Sequence, residues 1–257
     1  MAARELSRSL IIDLLESPNG TLYAVLIASV IVILTTVLYL LFGRSRSRGR
    51  SIILVGLTDS GKTLLFSRLS CGKYVMTHTS IKENKDQYKL KGKESGKTFD
   101  LVDLPGHERV RSRFIEQYKN QTRGVLFVVD SVNFPREVRD VAEIMYDILG
   151  DKYLSKSAAS ILVVCNKQDL TMAKSQSVIK SQLEREINTL RVTRAAALQG
   201  QDGGSTSTAV YVGKKGKDFE FSHVLPVTVE FAECSAKGQA DGEADISAVE
   251  TWLEKIA

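Results

Sequence analysis

The chain has 257 residues, of which 43% are hydrophobic and 25% are charged, and its formal net charge is +5. This composition excludes fibrous, collagen-like and wholly disordered proteins, and three scattered cysteines (Cys71, Cys165 and Cys234) are too few for a disulfide scaffold or a four-cysteine zinc site. Much of the excess positive charge lies in the arginine-rich segment 44–50, so we expect no direct nucleic-acid binding.

Residues 22–42 form an apolar stretch without a charged residue. A helix of this length extends about 31 Å at about 1.5 Å per residue, which matches the hydrocarbon core of a bilayer. A buried core helix is normally shorter and has a polar face. A cleaved signal peptide is disfavoured because the stretch is too long and follows residues 1–21, which include acids as well as arginines. The stretch therefore predicts one uncleaved transmembrane helix over 22–42.

The charges on either side of this stretch predict its orientation. The basic linker 43–50 follows it directly, whereas residues 1–21 carry more acids than arginines. Positive charge favours the cytosolic side of a membrane. We therefore expect a single-pass protein with a short N-terminus over 1–21 on the lumenal or outer side and a cytosolic part over 51–257.

The cytosolic part alternates short apolar runs with amphipathic stretches. The runs indicate strands at 51–55, 97–102, 124–130, 160–165 and 226–231. The stretches between them predict helices at 62–71, 108–118, 135–150, 174–190 and 245–256. This order predicts an α/β fold whose parallel sheet is covered by helices on both faces. Residues 199–218 include a polar run rich in glycine, serine and threonine and indicate a flexible surface insertion.

The segment 56–63 matches the phosphate-binding pattern GxxxxGK[ST]. It follows a predicted strand and precedes a predicted helix, the context in which backbone N–H groups and a helix N-terminus surround phosphate oxygens. Lys62 would reach the β and γ phosphates, and the Thr63 hydroxyl would bind Mg²⁺. The context disfavours the alternative, a glycine-rich turn with an exposed lysine. The expected ligand-binding residues are Gly56, Thr58, Asp59, Ser60, Gly61, Lys62, Thr63 and Leu64.

A second motif, DLPG at 103–106, follows the predicted strand 97–102. An aspartate at the end of a strand can hold Mg²⁺, so Asp103 is an expected Mg²⁺-binding residue. The amide of Gly106 can approach a γ-phosphate. Alone, this sequence usually indicates only a turn, and its value comes from its position after the phosphate-binding motif.

A third motif, NKQD at 166–169, predicts recognition of guanine. The carboxylate of Asp169 can accept both the N1–H and the amino group of guanine, whereas adenine would leave that carboxylate unpaired. The stem of Lys167 can cover the base, and Asn166 can tie this loop to the phosphate-binding loop.

The last motif, ECSAK at 233–237, follows the final predicted strand. A backbone amide here, that of Ala236, can donate to guanine O6. We therefore include Ser235, Ala236 and Lys237 in the expected site, although this sequence alone indicates a turn.

The four motifs, in this order and spacing, resemble those of the Ras-like small GTPases over about 51–257. The resemblance implies a P-loop NTPase with a mostly parallel six-stranded sheet that binds GTP or GDP and Mg²⁺. The sequence GKY at 72–74 is similar to the Arf branch, in which a switch residue also binds Mg²⁺. A gapless match puts Ser80 at that position, with Thr79 as the near alternative.

The apolar stretch, the sequence DLPGHER, the polar insertion and ECSAKG together resemble the family of signal recognition particle receptor β subunits over nearly the whole chain. The resemblance implies a single-pass subunit of the endoplasmic reticulum membrane that recruits the receptor α subunit in a GTP-dependent way. It implies an indirect link to the signal recognition particle and the ribosome in co-translational protein targeting. Two alternatives stay open: a structural anchor with GTP as a resident cofactor, and an Arf-like trafficking GTPase, although Ala2 removes the myristoylation signal that the latter often carries.

We expect GTP hydrolysis to be slow and controlled by a partner. His107 stands where Ras-like proteins have the glutamine that positions water, and a neutral imidazole can orient water. His107 and Lys62 are therefore the expected catalytic residues. Arg109, Arg111 and Arg113 either act on the γ-phosphate or form a solvated helix face, and we favour the solvated face.

Overall fold

The computed structural model describes residues 25–26, 28–36, 49–90, 96–156, 160–199, 211–214, 216–238 and 243–257. The chain divides into two compact units, Met1–Ser47 and Arg48–Ala257. The first unit contains the apolar stretch, and the second contains all four nucleotide motifs.

In the first unit, residues 25–26 and 28–36 are helical. Thr36 Oγ1 donates to the Val32 carbonyl oxygen at 2.6 Å, so this hydroxyl is satisfied within an apolar helix. Within the described ranges, no helix combines the length and the apolar character that crossing a membrane requires. The other residues of the predicted span, 22–24, 27 and 37–42, lie outside the described part of the chain.

The second unit alternates strands and helices. Its strands are β1 (Ser51–Val55), β2 (Asn84–Lys89), β3 (Thr98–Asp103), β4 (Thr122–Asp130), β5 (Ser160–Asn166) and β6 (Thr228–Glu233). Its described helices are α1 (Lys62–Cys71), α2 (Glu108–Tyr118), α3 (Phe134–Gly150), α4 (Lys152–Lys156), α5 (Gln176–Gln199) and α6 (Ser247–Lys255), with a 3₁₀ helix at Phe221–His223.

The strands form one six-stranded sheet in the order β2-β3-β1-β4-β5-β6. Neighbouring strands are parallel except for β2, which runs antiparallel to β3 at the edge. The expected mostly parallel α/β sheet is therefore confirmed. The register places Asp130 opposite Asn166 and Cys165 opposite Glu233. Because the motifs follow strands whose carboxyl ends are aligned, they gather along the carboxyl-terminal side of the sheet.

Apolar layers cover both faces of the sheet. All of β1 is buried. Ile53 and Val55 pack in the layer that contains α3 and α5, whereas Ile52 and Leu54 pack in the layer that contains α1 and α6. A strand that is apolar on both sides is typical of a parallel sheet between helices, and this explains why the short apolar runs were sufficient to predict β1, β4 and β5.

Some elements differ from those that the sequence predicts. The search for apolar runs misses β2, because its sequence NKDQYK is polar and only Tyr88 in it is fully buried. It also misses the short helix α4. Helix α5 continues nine residues past the predicted end at 190, through a sequence rich in arginine, alanine and leucine, which favour helix. Strand β6 begins at Thr228 rather than at residue 226, where proline lacks the N–H of a ladder.

Part of the predicted insertion 199–218 packs against α5. Arg191 of α5 is buried and donates to the carbonyl oxygens of Val212 at 3.4 Å and Lys217 at 2.7 Å. Val212 is itself buried. Residues 200–210 and 215 lie outside the described part of the chain, and the flexibility of the insertion stays a prediction.

Candidate nucleotide-binding site

A cavity of about 350 Å³ opens where the four motifs meet. The expected residues that line it are Thr58, Asp59, Gly61, Lys62, Thr63, Leu64, Thr79, Ser80, Gly106, Asn166, Lys167, Asp169 and Lys237. The expected residues that lie outside its lining are Gly56, Ser60, Asp103, His107, Ser235 and Ala236. The sequence analysis missed four lining residues, of which the first two could have been found from their place beside the switch residues: Thr77, His78, Leu104 and Leu170.

The loop after β1 has the backbone shape that phosphate binding needs. Gly56 and Gly61 have φ angles of 153° and 89°, and Asp59 has a φ angle of 60°. A side chain at Gly56 would collide with the Val128 carbonyl oxygen, and one at Gly61 would collide with the side-chain amide nitrogen of Asn166. Glycine is therefore required at both positions, by conformation and by close packing.

Lys62 begins α1, and its ammonium group is buried against this loop. Nζ donates to the Leu57 carbonyl oxygen at 2.5 Å and lies 3.5 Å from Ser60 Oγ. Burial lowers the pKa of Lys62 to about 8, although the nearby Asp103 carboxylate acts in the opposite direction. A buried ammonium group on the wall of a cavity is well placed to bind phosphate oxygens.

The three expected Mg²⁺ ligands lie together. Thr63 Oγ1 donates to Asp103 Oδ2 at 2.7 Å and lies 3.2 Å from Ser80 Oγ. Asn84 of β2, which the sequence analysis missed, also donates to Asp103 Oδ2, at 3.0 Å. Burial raises the pKa of Asp103, and these two hydrogen bonds oppose the shift. Asp103 Oδ1 is buried with no hydrogen-bond partner among the described residues. Two hydroxyls and a partly unsatisfied carboxylate fit Mg²⁺, which prefers oxygen ligands.

Asn166 joins the end of the cavity where phosphate is expected, beside Lys62, to the end where the base is expected, beside Asp169. Its Nδ2 donates to the Ser60 carbonyl oxygen at 2.8 Å, and its Oδ1 accepts the Ala236 amide at 3.0 Å. The Ala236 amide, which we expected to donate to guanine O6, therefore already has a protein acceptor. A guanine O6 would share or displace this bond.

Asp169 lines the end of the cavity where the base is expected, and Ser235 contacts its carboxylate from outside the cavity. Ser235 Oγ donates to Asp169 Oδ1 at 2.6 Å and accepts the Gly238 amide at 3.0 Å. Ser235 itself does not line the cavity, so its place is that of a support for the carboxylate rather than a direct ligand.

Lys167 is fixed by an acid that the sequence analysis missed. Its Nζ donates to Asp130 Oδ2 at 2.6 Å. Asp130 is buried at the end of β4, and its Oδ1 also accepts the amides of Val132 at 2.9 Å and Asn133 at 3.1 Å. Burial acts to raise the pKa of Asp130, but the hydrogen bonds from Lys167 and the two amides outweigh it, so the pKa lies below its usual value. The arrangement holds the stem of Lys167 along the cavity wall.

Comparison with known proteins then decides the family. The family model described as "Signal recognition particle receptor beta subunit" matches residues 47–229. The chain belongs to this family. It is 51% identical to the human signal recognition particle receptor subunit beta over 245 residues, which cover 95% of this chain and 89% of the relative.

Solved structures agree with membership of the receptor β-subunit family. A chain in the structure of the mammalian signal recognition particle receptor is 50% identical, with a TM-score of 0.70 over 81% of this chain and 100% of that chain. The Arl6 BBS3 small GTPase from Trypanosoma brucei is 16% identical, with a TM-score of 0.53 over 80% of this chain and 95% of that chain. The second likeness shows the fold alone, which is that of small GTPases.

In this member of the receptor β-subunit family, the expected catalytic histidine is not in the cavity wall. His107 precedes α2 and is exposed, whereas His78 lines the cavity. Arg109 and Arg113 are exposed on α2, but Arg111 is half-buried and donates to the Gly106 carbonyl oxygen at 3.0 Å. The interpretation of the three arginines as a solvated helix face is therefore wrong for Arg111.

Proposed function

We propose that this chain is a GTP-dependent switch that recruits the receptor α subunit to the endoplasmic reticulum membrane for co-translational protein targeting. The observation that carries this proposal is one cavity with a buried lysine and a threonine at one end and the carboxylate of the NKQD motif at the other. Lys62 and Thr63 line the first end, and Asp169 lines the second. Membership of the receptor β-subunit family supports the assignment to protein targeting, with an indirect link to the signal recognition particle and the ribosome.

Each part of the nucleotide has a matching set of residues. Lys62 and the amides of the phosphate-binding loop would bind the β and γ phosphates of GTP, or the β phosphate of GDP. Thr63, Ser80 and Asp103 would hold Mg²⁺, which when bound neutralises phosphate charge. Asp169 would accept the N1–H and the amino group of guanine, and this pairing would exclude adenine.

Two segments would respond to the γ-phosphate. A Cβ added to Gly106 would lie 2.6 Å from Thr58 N and 2.9 Å from Lys62 Nζ, so this segment already abuts the phosphate-binding loop. Ser80 brings the second segment to Thr63. A γ-phosphate bound between them would hold both segments in one arrangement, and its removal would release them.

Exposed apolar side chains flank the second segment and form a candidate surface for the α subunit. Tyr74, Val75, Met76 and Ile81 lie on either side of residues 77–80 and are between 47% and 81% exposed. Apolar side chains clustered on a surface are typical of protein interaction sites. Binding here would make recruitment of the α subunit depend on the bound nucleotide.

The proposal includes slow hydrolysis that a partner controls. His107 lies outside the cavity wall, so a contact that moves the start of α2 towards the cavity would be needed to use it. Ras-type GTPases alone hydrolyse GTP at about 10⁻⁴ per second, and an arginine supplied by a partner accelerates hydrolysis by a factor of about 10³–10⁵.

The proposal also includes the membrane anchor, with residues 1–21 lumenal, a transmembrane helix over 22–42, a linker over 43–50 and a cytosolic domain over 51–257. Apolar length and flanking charge support it. Carbonate extraction of membranes that contain the full chain tests it: the protein is expected in the pellet, and release into the supernatant would contradict the span.

Binding to the α subunit tests the switch. The full chain, purified in detergent micelles, is loaded with GTP, GDP or no nucleotide and mixed with the α subunit. We expect strong binding with GTP and weak binding in the other two states. Equal binding in all three states would refute the switch.

A structural anchor with GTP as a resident cofactor is the second candidate, which the exposed position of His107 favours. Lys62→Ala distinguishes the two when thermal unfolding and recruitment of the α subunit are measured together. Loss of folding supports the anchor, whereas a folded variant that no longer recruits the α subunit supports the switch.

A further inference from the structure

Arg111 connects helix α2 to the phosphate end of the cavity. Its half-buried side chain donates from Nη1 to the Gly106 carbonyl oxygen at 3.0 Å. Gly106 in turn abuts Lys62, since a Cβ added to it would lie 2.9 Å from Nζ. The guanidinium group is therefore adjacent to the segment expected to contact the γ-phosphate.

In the described part of the chain, Arg111 forms no ion pair with a carboxylate. Burial lowers the pKa of Arg111, although the carboxylates of Glu108, Asp147 and Asp140 act in the opposite direction. Burial is the main cause of the lowered pKa of Lys62, and the positive charge of Arg111 lowers it further. Two neighbouring cations are stabilised by a polyanion, and a triphosphate brings more negative charge to this end than a diphosphate does.

We propose that Arg111 is a positioning residue that makes the site favour the triphosphate over the diphosphate. Its bond to the Gly106 carbonyl oxygen holds the peptide unit between Gly106 and His107, and with it the start of α2. Arg111 itself does not line the cavity, so its charge favours a γ-phosphate beside Lys62 without direct contact. This inference rests on the proposed GTP-binding function and adds the residue through which α2 would sense the γ-phosphate.

Isothermal titration of the full chain in detergent micelles with Mg²⁺ tests the inference. The probes are GDP and a non-hydrolysable GTP analogue. Arg111→Ala is expected to weaken binding of the analogue about tenfold and to change GDP binding less than about twofold, as for loss of one charge-assisted hydrogen bond. Arg109→Ala and Arg113→Ala, which alter exposed arginines of the same helix, are the matched controls. They are expected to leave the dissociation constants of GDP and of the analogue unchanged.

Arg111→Gln separates the hydrogen bond from the charge, because glutamine keeps an N–H donor. It is expected to bind GDP like the wild type and the analogue several-fold more weakly. If Arg111→Ala does not fold, the ratio of the two constants for Arg111→Gln decides. An unchanged ratio, or an equal loss for both nucleotides, overturns the role of Arg111. A wild-type chain that binds neither nucleotide would overturn the proposed function as well, whereas normal wild-type binding confines a failure to Arg111.

Discussion

Ser235 Oγ donates to Asp169 Oδ1 at 2.6 Å, and this bond orients the carboxylate that is expected to bind guanine. Ser235 Oγ also accepts a hydrogen bond from the Gly238 amide at 3.0 Å, so Ser235 is itself held in place by its own loop. A carboxylate that is oriented before the base arrives loses less freedom on binding than an unsupported one. We therefore expect the loop after β6 to act on base recognition through Asp169.

Ser235→Ala is expected to weaken binding of GTP and GDP by about the same factor, roughly fivefold to tenfold, because one hydrogen bond to a charged group is lost. Fluorescence titration with labelled nucleotides measures both affinities. Ser222→Ala is the matched control, since Ser222 is exposed and its hydroxyl donates to Glu220 at 3.0 Å, in the 3₁₀ helix and outside the cavity lining. Unchanged guanine-nucleotide affinity in Ser235→Ala would contradict the supporting role.

Asp130→Asn removes the charge that fixes Lys167, and we expect weaker nucleotide binding and a loss of about 1–2 kcal/mol in the free energy of unfolding. The folded-state pKa of Asp130 lies below its usual value, so its contribution to stability is present above about pH 4 and is lost as the pH falls through the folded-state pKa. Thermal unfolding at a series of pH values should therefore show the wild type and the variant converging in acid. Asp140→Asn, an exposed acid on α3, should show no such convergence. A constant difference at all pH values would argue against the Lys167–Asp130 ion pair.

Nucleotide binding should weaken as the pH rises through about 8. Burial lowers the pKa of Lys62 to that value, so the cationic form that binds phosphate is present below it and is lost above it. Calorimetry at pH 8.5 in two buffers of different ionisation enthalpy should show net proton uptake on GDP binding, and at pH 6.5 the uptake from Lys62 should vanish. Absence of uptake at pH 8.5 would mean that Lys62 stays charged without the ligand.

Ser80→Ala should raise the Mg²⁺ concentration needed for half-maximal GTP binding by at least about tenfold, because a ligand oxygen is lost. Thr79→Ala should leave it near the wild-type value, since it is Ser80 Oγ that lies 3.2 Å from Thr63 Oγ1. GTP titrations at a series of Mg²⁺ concentrations measure the difference. The reverse result would assign the switch ligand to Thr79.

The residues proposed to bind phosphate and guanine could be placed in one cavity because each belongs to a short contiguous motif after a buried strand. Lys62 and Thr63 begin the helix that follows β1 and its loop, and Asp169 lies in the loop after β5. An apolar run followed by a polar loop reveals both the strand and its carboxyl end. The same reasoning misses β2 and therefore Asn84, because an exposed edge strand has no apolar run.

By itself, the sequence determined the α/β class, the order of the motifs and the residue types that could hold phosphate, Mg²⁺ and guanine, because these depend on stretches of a few neighbouring residues. Only the tertiary structure decided that Asp130 fixes Lys167, that Ser235 supports Asp169 and that Arg111, but not its neighbours on α2, reaches Gly106. The physical reason is that such contacts depend on the order and register of strands far apart in the chain and on which side of a helix faces the sheet. Short-range sequence patterns do not contain that information.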